Sequence, residues 1–165
     1  MGANLTRILI FFLSKITSSA TLMKLFVFSL FIFEKKSLIR FNHDNFLTLS
    51  EADLQQWLIG IALSEGYAVE EVEYNFVDAE TLFSLNKKYL NHETHTDIIT
   101  FDYSESKAIK AEAYISLDAL KKNAAIYSQT IENESLRLIS HALLHCMGHN
   151  DKTKEEKKQM RLKEE

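Results

Sequence analysis

Between Glu134 and Met147 the apolar residues Leu136, Ile139, Leu143 and Met147 recur at helical spacing. His141 and His145 lie four residues apart inside the same stretch. Side chains at that spacing stand one turn above each other on one helix face, so two imidazoles can point at a single ion. Leu143 and Leu144 keep the neighbouring faces apolar and limit water. Gly148 follows at once and can end the helix in a left-handed conformation, which lets the chain fold back. Asp151 is then placed to supply a third ligand. His149 is its rival, because it would share the face of His145 if the helix ran on unbroken. The helix stop favours Asp151. H-x3-H spacing alone fits two half-buried histidines equally well. Gly148 and the segment His149-Asn150-Asp151 shift the balance to a metal site.

The rest of the chain reads as alternating strands and helices. Ser37 to Asn42 is a short strand. Ser50 opens a helix with Asp53 three residues on, in a capping-box-like arrangement, and Leu54, Trp57, Leu58 and Ile61 form its apolar face. Gly66 stands at the expected stop. Val72, Tyr74 and Phe76 alternate with Glu73 and Asn75 at the period of a half-buried strand. Asp78 caps a helix with Leu82, Leu85 and Tyr89 on its apolar side. Asn91 to Thr96 is a polar loop. Ile98 to Phe101 and Ala113 to Ser116 are strands, a helix runs from Asp118 to Tyr127, and a charged, helical tail starts at Lys154. The fold class is therefore α+β, or mixed α/β: a small sheet of about four strands packed with helices, with the metal site on a C-terminal helix and the loop after it.

Length fits a single domain, and 46% hydrophobic residues suffice for a core. A single cysteine, Cys146, excludes an intrachain disulfide, fits a reducing, cytoplasmic setting and reads as packing. The net charge of -4 excludes a uniformly basic nucleic-acid coat but leaves room for local basic patches. Such patches occur at Lys35, Lys36 and Arg40 and along the tail from Lys152. Residues 1–33 hold two apolar runs, Ile8 to Leu13 and Leu25 to Phe33, neither near the ~20 residues of a membrane span. They are expected to be an extension, with Met23 an alternative start, and residues 34–165 the working domain. No membrane span is expected.

Zinc peptidases place a glutamate after the first histidine of H-E-x-x-H to act as general base. Ala142 stands there here, so a peptidase loses its base. Two histidines and a carboxylate also suit non-haem iron, but the local H-x3-H-x5-D arrangement looks more like one hydrolytic Zn²⁺ with an open position for water.

The segment from His141 to Asp151 resembles the signature of the YbeY endoribonucleases, bacterial metal-dependent enzymes of rRNA processing. The resemblance rests on His141, Leu144, His145 and Gly148, with Asp151-Lys152-Thr153 as in one branch of the family. Leu85-Asn86-Lys87-Lys88-Tyr89 and Thr96-Asp97-Ile98-Ile99-Thr100-Phe101 resemble its second block, and Ala111-Glu112-Ala113-Tyr114-Ile115 sits where the family has a G-D-I strand. The blocks fall in order over residues 38 to 165. Departures are Ala142 for a glycine, Leu90 for an arginine, Asp151 for a third histidine and Ala111-Glu112 for the G-D pair. The resemblance implies a single-strand-specific endoribonuclease in rRNA maturation (small-subunit 3′-end processing) and ribosome quality control, with ribosomal small-subunit proteins as further partners. His141, His145 and Asp151 are the expected metal ligands. Glu112 and His149 are the candidates for general base. Lys87, Lys88, Asn86 and Asp97 are the expected RNA contacts. Asn86 and Asp97, which line an RNA cleft or brace the metal helix in this reading, read equally well as turn and capping residues. The alternative function is an rRNA- or ribosome-binding assembly factor with a structural metal.

Overall fold

The computed structural model describes residues 37–43, 47 and 49–164. Expectations for residues 1–33 lie outside that range. The described elements are β1 (Leu38–Asn42), α1 (Glu51–Ser64), β2 (Ala68–Val77), α2 (Ala79–Leu90), β3 (Ile98–Asp102), β4 (Ala108–Ser116), α3 (Leu117–Ile126), α4 (Ile131–Cys146) and α5 (Lys154–Glu164). The fold is α+β, as the alternation of periods predicts.

The sheet order is β1-β2-β4-β3. β1, β2 and β4 run parallel and β3 is antiparallel to β4. One sheet face carries Ile39, Phe41, Val72, Tyr74, Ala111, Ala113 and Ile115, all buried. The register shifts between Val69 and Glu71. This bulge brings Val69 and Val72, three residues apart, into the same core. α4 packs on this face. The Tyr74 hydroxyl donates to the carbonyl of Ile139 at 3.1 Å, which satisfies a polar atom in the core and fixes the helix against β2. The ring of Tyr74 stacks on Phe41 at 5.3 Å.

Helix starts follow the sequence. Ser50 accepts from the amide of Asp53, Asp78 from Thr81, Ser116 from Ala119 and Thr130 from Asn133. Each such cap is worth about 1 kcal/mol. Gly66 ends α1 with φ +76°, and a β-carbon there would meet nothing within 4 Å, so the conformation rather than space calls for glycine.

Two helix faces differ from expectation. Trp57 is 38% exposed, and α1 buries Leu54, Leu58 and Ala62 instead. That stripe is narrower than the tryptophan's position predicts. On α2, Tyr89 is exposed while Asn86 is buried. The Asn86 side-chain amide donates to the carbonyl of Thr94 at 2.6 Å, so a polar group occupies the inner face. Of the predicted face of α4, Ile139, Leu143 and Met147 are buried and Leu136 only partly, while Leu138, Ala142, Leu144 and Cys146 are buried as well. This helix is flanked by the sheet, α1, α3 and α5, so a single apolar stripe does not describe it.

Candidate metal centre

The C-terminal end of α4 builds the site. Gly148 takes φ +88°, its amide bonds the carbonyl of His145, and the amide of His149 returns to the carbonyl of Leu144. The chain reverses there, and Asp151 comes back to the histidines. One ligand atom each from His141, His145 and Asp151 lie within 4.8 Å of one another, close enough for one metal ion. All three residues are half-buried. It is the one such group of histidine, cysteine and carboxylate side chains among the described residues.

The hydrogen bonds around the imidazoles decide what this group can hold. The Nδ1 of His145 lies 2.8 Å from the carbonyl oxygen of His149. A carbonyl only accepts, so this nitrogen carries the proton. The Nδ1 of His141 donates to Oε1 of Glu164 at 2.6 Å. The two Nε2 atoms face one another 2.9 Å apart, close enough to share one proton or one metal ion between them. Burial, and then the neighbouring His141, push the His145 pKa below its ordinary value. Both effects favour the neutral form that a metal requires. The donor set, two nitrogens and a carboxylate oxygen, suits Zn²⁺ or another divalent first-row ion.

The remaining expected residues divide. The imidazole of His149 turns away, with Nε2 3.4 Å from Glu65, and only its backbone serves the site. Glu112 pairs in register with Glu73, whereas Tyr74, which bonds α4, pairs with Ala113. Neighbours in register share a sheet face and successive residues alternate. Glu112 therefore stands on the face opposite α4, where it accepts from the Tyr114 hydroxyl at 3.1 Å. The structure does not bring it to the histidines. Asn86 braces the 91–97 loop from inside. Asp97 accepts from Asn123 at 3.2 Å and pairs with Arg137 at 3.5 Å, which links that loop to α4. Lys87 pairs with Glu93, and Lys88 lies over the Tyr89 ring; both are exposed. Cys146 is buried, and its thiol is pushed up to about 12, chiefly by desolvation, so it packs rather than reacts.

Sequence reasoning missed Arg137 and Glu164. Arg137 lies one turn before His141 on α4, a spacing that was available as a signal. Its guanidinium meets both carboxylate oxygens of Glu134 at 2.7 and 2.8 Å. Nothing local marked Glu164, 23 residues beyond His141.

A family model described as "Endoribonuclease YbeY" matches residues 32–165. A relative of that name from Cytophaga hutchinsonii is 43% identical over 115 residues, 69% of this chain and 80% of the relative. Another from Flavobacterium johnsoniae is 35% identical over 129 residues, 78% of this chain and 93% of the relative. A solution structure from Thermotoga maritima shares the fold with a TM-score of 0.55 at 24% identity, covering 77% of this chain and 87% of that one. Together with the site these matches carry the conclusion: the chain belongs to the Endoribonuclease YbeY family.

Proposed function

We infer that the protein is a metal-dependent endoribonuclease that cleaves single-stranded RNA at the end of α4. Cleavage of RNA follows from the family. The observation that supports metal dependence is the pair of histidines whose Nδ1 atoms are both engaged and whose Nε2 atoms converge beside Asp151. In this reading His141, His145 and Asp151 hold one Zn²⁺. The ion supplies Lewis acidity, which acidifies water and polarises a phosphodiester oxygen. Ala142, Leu143 and Leu144 are buried beside the ligands and exclude solvent from their inner side. Ala142 removes the carboxylate that a peptidase needs at that position. The exposed Lys87 and Lys88 are available to the RNA backbone. Neither candidate base has its side chain at the cluster, so the proton acceptor is water-borne or belongs to the RNA. No fourth protein ligand joins the three among the described residues. This favours an open, catalytic position over a structural ion, which usually has four.

The natural substrate in this reading is rRNA at the small-subunit 3′ end, with ribosomal small-subunit proteins as partners and the cytoplasm as the setting. Among the described residues no helix is long and apolar enough to cross a membrane. Residues 34–165 form the working domain and residues 1–33 an extension.

The test is cleavage of a labelled single-stranded RNA by the zinc-loaded protein beside His145→Ala, with and without chelator. Zinc-dependent cleavage by the native chain alone supports the reading. Equal cleavage by both proteins, or no effect of chelator, sinks it. Because Asp151 adds negative charge to the ligand set, water at the site is less acidic than in a three-histidine site. Asp151→His is expected to move the activity optimum to lower pH.

A further inference from the structure

We propose that Glu164, itself held by Arg137, is the positioning residue that fixes His141 as a metal ligand. The inference rests on the metal-site reading above and goes beyond it by naming what sets one ligand. Two observations on α5 bring the residue there. Met160 is buried, and Glu164 follows it by four residues on the same helix face. The Glu164 side chain is only 5% exposed although it carries a charge. A carboxylate is retained at such a depth when its oxygens are paired.

The two oxygens have separate partners. Oε1 accepts the Nδ1 proton of His141 at 2.6 Å, and Oε2 lies 3.8 Å from Nη1 of Arg137. Arg137 cannot swing away freely, because its fork is occupied by the buried Glu134 and it also meets Asp97. Glu134, Arg137 and Glu164 therefore form a chain of charges that ends on the metal-facing imidazole. It has two effects. The proton is held on Nδ1, so the Nε2 lone pair faces the ion. A carboxylate partner also makes that nitrogen a stronger donor.

His145 is held differently. Its Nδ1 proton goes to the backbone carbonyl of His149, an acceptor that no side-chain substitution removes. One ligand is thus set by its own helix end and the other by the last helix of the domain.

The experiment is Zn²⁺ titration of the full chain against a chromogenic chelator, with metal-free melting temperatures recorded alongside. Glu164→Gln keeps the size and removes the charge. It is expected to weaken zinc binding about 10- to 100-fold while the metal-free melting temperature stays within a few degrees. Arg137→Lys is expected to weaken binding in the same direction by less. Native affinity in Glu164→Gln overturns the proposal, as does a loss matched by a proportionate fall in metal-free stability. If that variant does not fold, the imidazole ¹⁵N spectrum of the native protein decides. A His141 ring protonated on Nδ1 supports the assignment and one protonated on Nε2 overturns it. A native chain that binds no zinc removes the metal-site reading, and this proposal with it.

Discussion

Among the described residues, two clusters of ion pairs are centred on an arginine. On the sheet face opposite α4, Arg40 meets Glu71 at 2.9 Å and Glu73 at 3.5 Å, and Lys110 meets Glu71 at 3.3 Å. Between the helices Arg137 meets Glu134 at 2.7 Å, Asp97 at 3.5 Å and Glu164 at 3.8 Å. The distances alone do not separate them. Depth does: the Glu134 side chain is 2% exposed and Arg40 is 44% exposed. Water screens the first cluster and competes for its hydrogen bonds, so it decorates the sheet. In the second, Glu134 and Glu164 have lost that solvation, so these two carboxylates depend on Arg137, and a half-buried imidazole at the cluster's end is oriented by Glu164. A similar list of ion pairs is a surface in one place and the support of a site in the other.

The largest expected effect comes from removing the centre of the inner cluster. Arg137→Met leaves Glu134 and Glu164 buried without a counter-charge. It is expected to cost about 3 kcal/mol, the lower end for a broken buried pair, because the guanidinium itself is partly exposed. Urea unfolding of the metal-free protein measures it, and a loss indistinguishable from zero would break the comparison. Adding Glu134→Gln to that variant is expected to restore about 1–2 kcal/mol, since the stranded carboxylate disappears. No recovery would locate the damage in packing rather than charge.

Acid separates the histidine site from the outer cluster. His145 has its folded pKa below the ordinary imidazole value, about 6.5, mainly through burial. Above that value both folded and unfolded chains hold it neutral. As the pH falls below it, the unfolded chain takes up the proton first, so stability is lost progressively down through the folded pKa. Glu71 is shifted down by Lys110 and Arg40, so its contribution is full above about 4.5 and is lost only at lower pH. Melting temperatures of the metal-free protein should therefore start to fall as the pH drops below about 6.5 in the native chain and fall less in His145→Gln. Identical profiles would remove burial of His145 as the cause. The smallest expected effect is at Arg40: Arg40→Met should leave the melting temperature at its native value at 0.15 M salt. A clear drop would show that the outer ladder is worth more than its exposure implies.

The fold was legible where periodicity is local. Strand β2 followed from Val72, Tyr74 and Phe76, and α4 from its heptad-like apolar spacing, with only the ends shifted. The caps at Ser50 and Asp78 and the stops at Gly66 and Gly148 were readable because each is a contact within about five residues of its own helix end. Trp57 was misplaced because several stripes satisfy helical spacing on α1, and the sheet selected the one with Leu54, Leu58 and Ala62. Asn86 was expected at the RNA or in turn chemistry, and its bond to the carbonyl of Thr94 was not legible because that partner lies in an irregular loop.

The same division runs through the site. His141 and His145 share a face because 3.6 residues make a turn, and Asp151 can return because glycine tolerates positive φ; both facts belong to sequence. The placement of Glu112 across the sheet, the turning of His149 towards Glu65, and the arrival of Glu164 at His141 were decided by tertiary structure alone. Strand register and helix docking are set by which apolar faces meet, and a charged side chain goes where that packing carries it. The chain thus wrote its candidate metal ligands into one short segment, while the carboxylate that meets His141 arrives only once α5 has docked on α4.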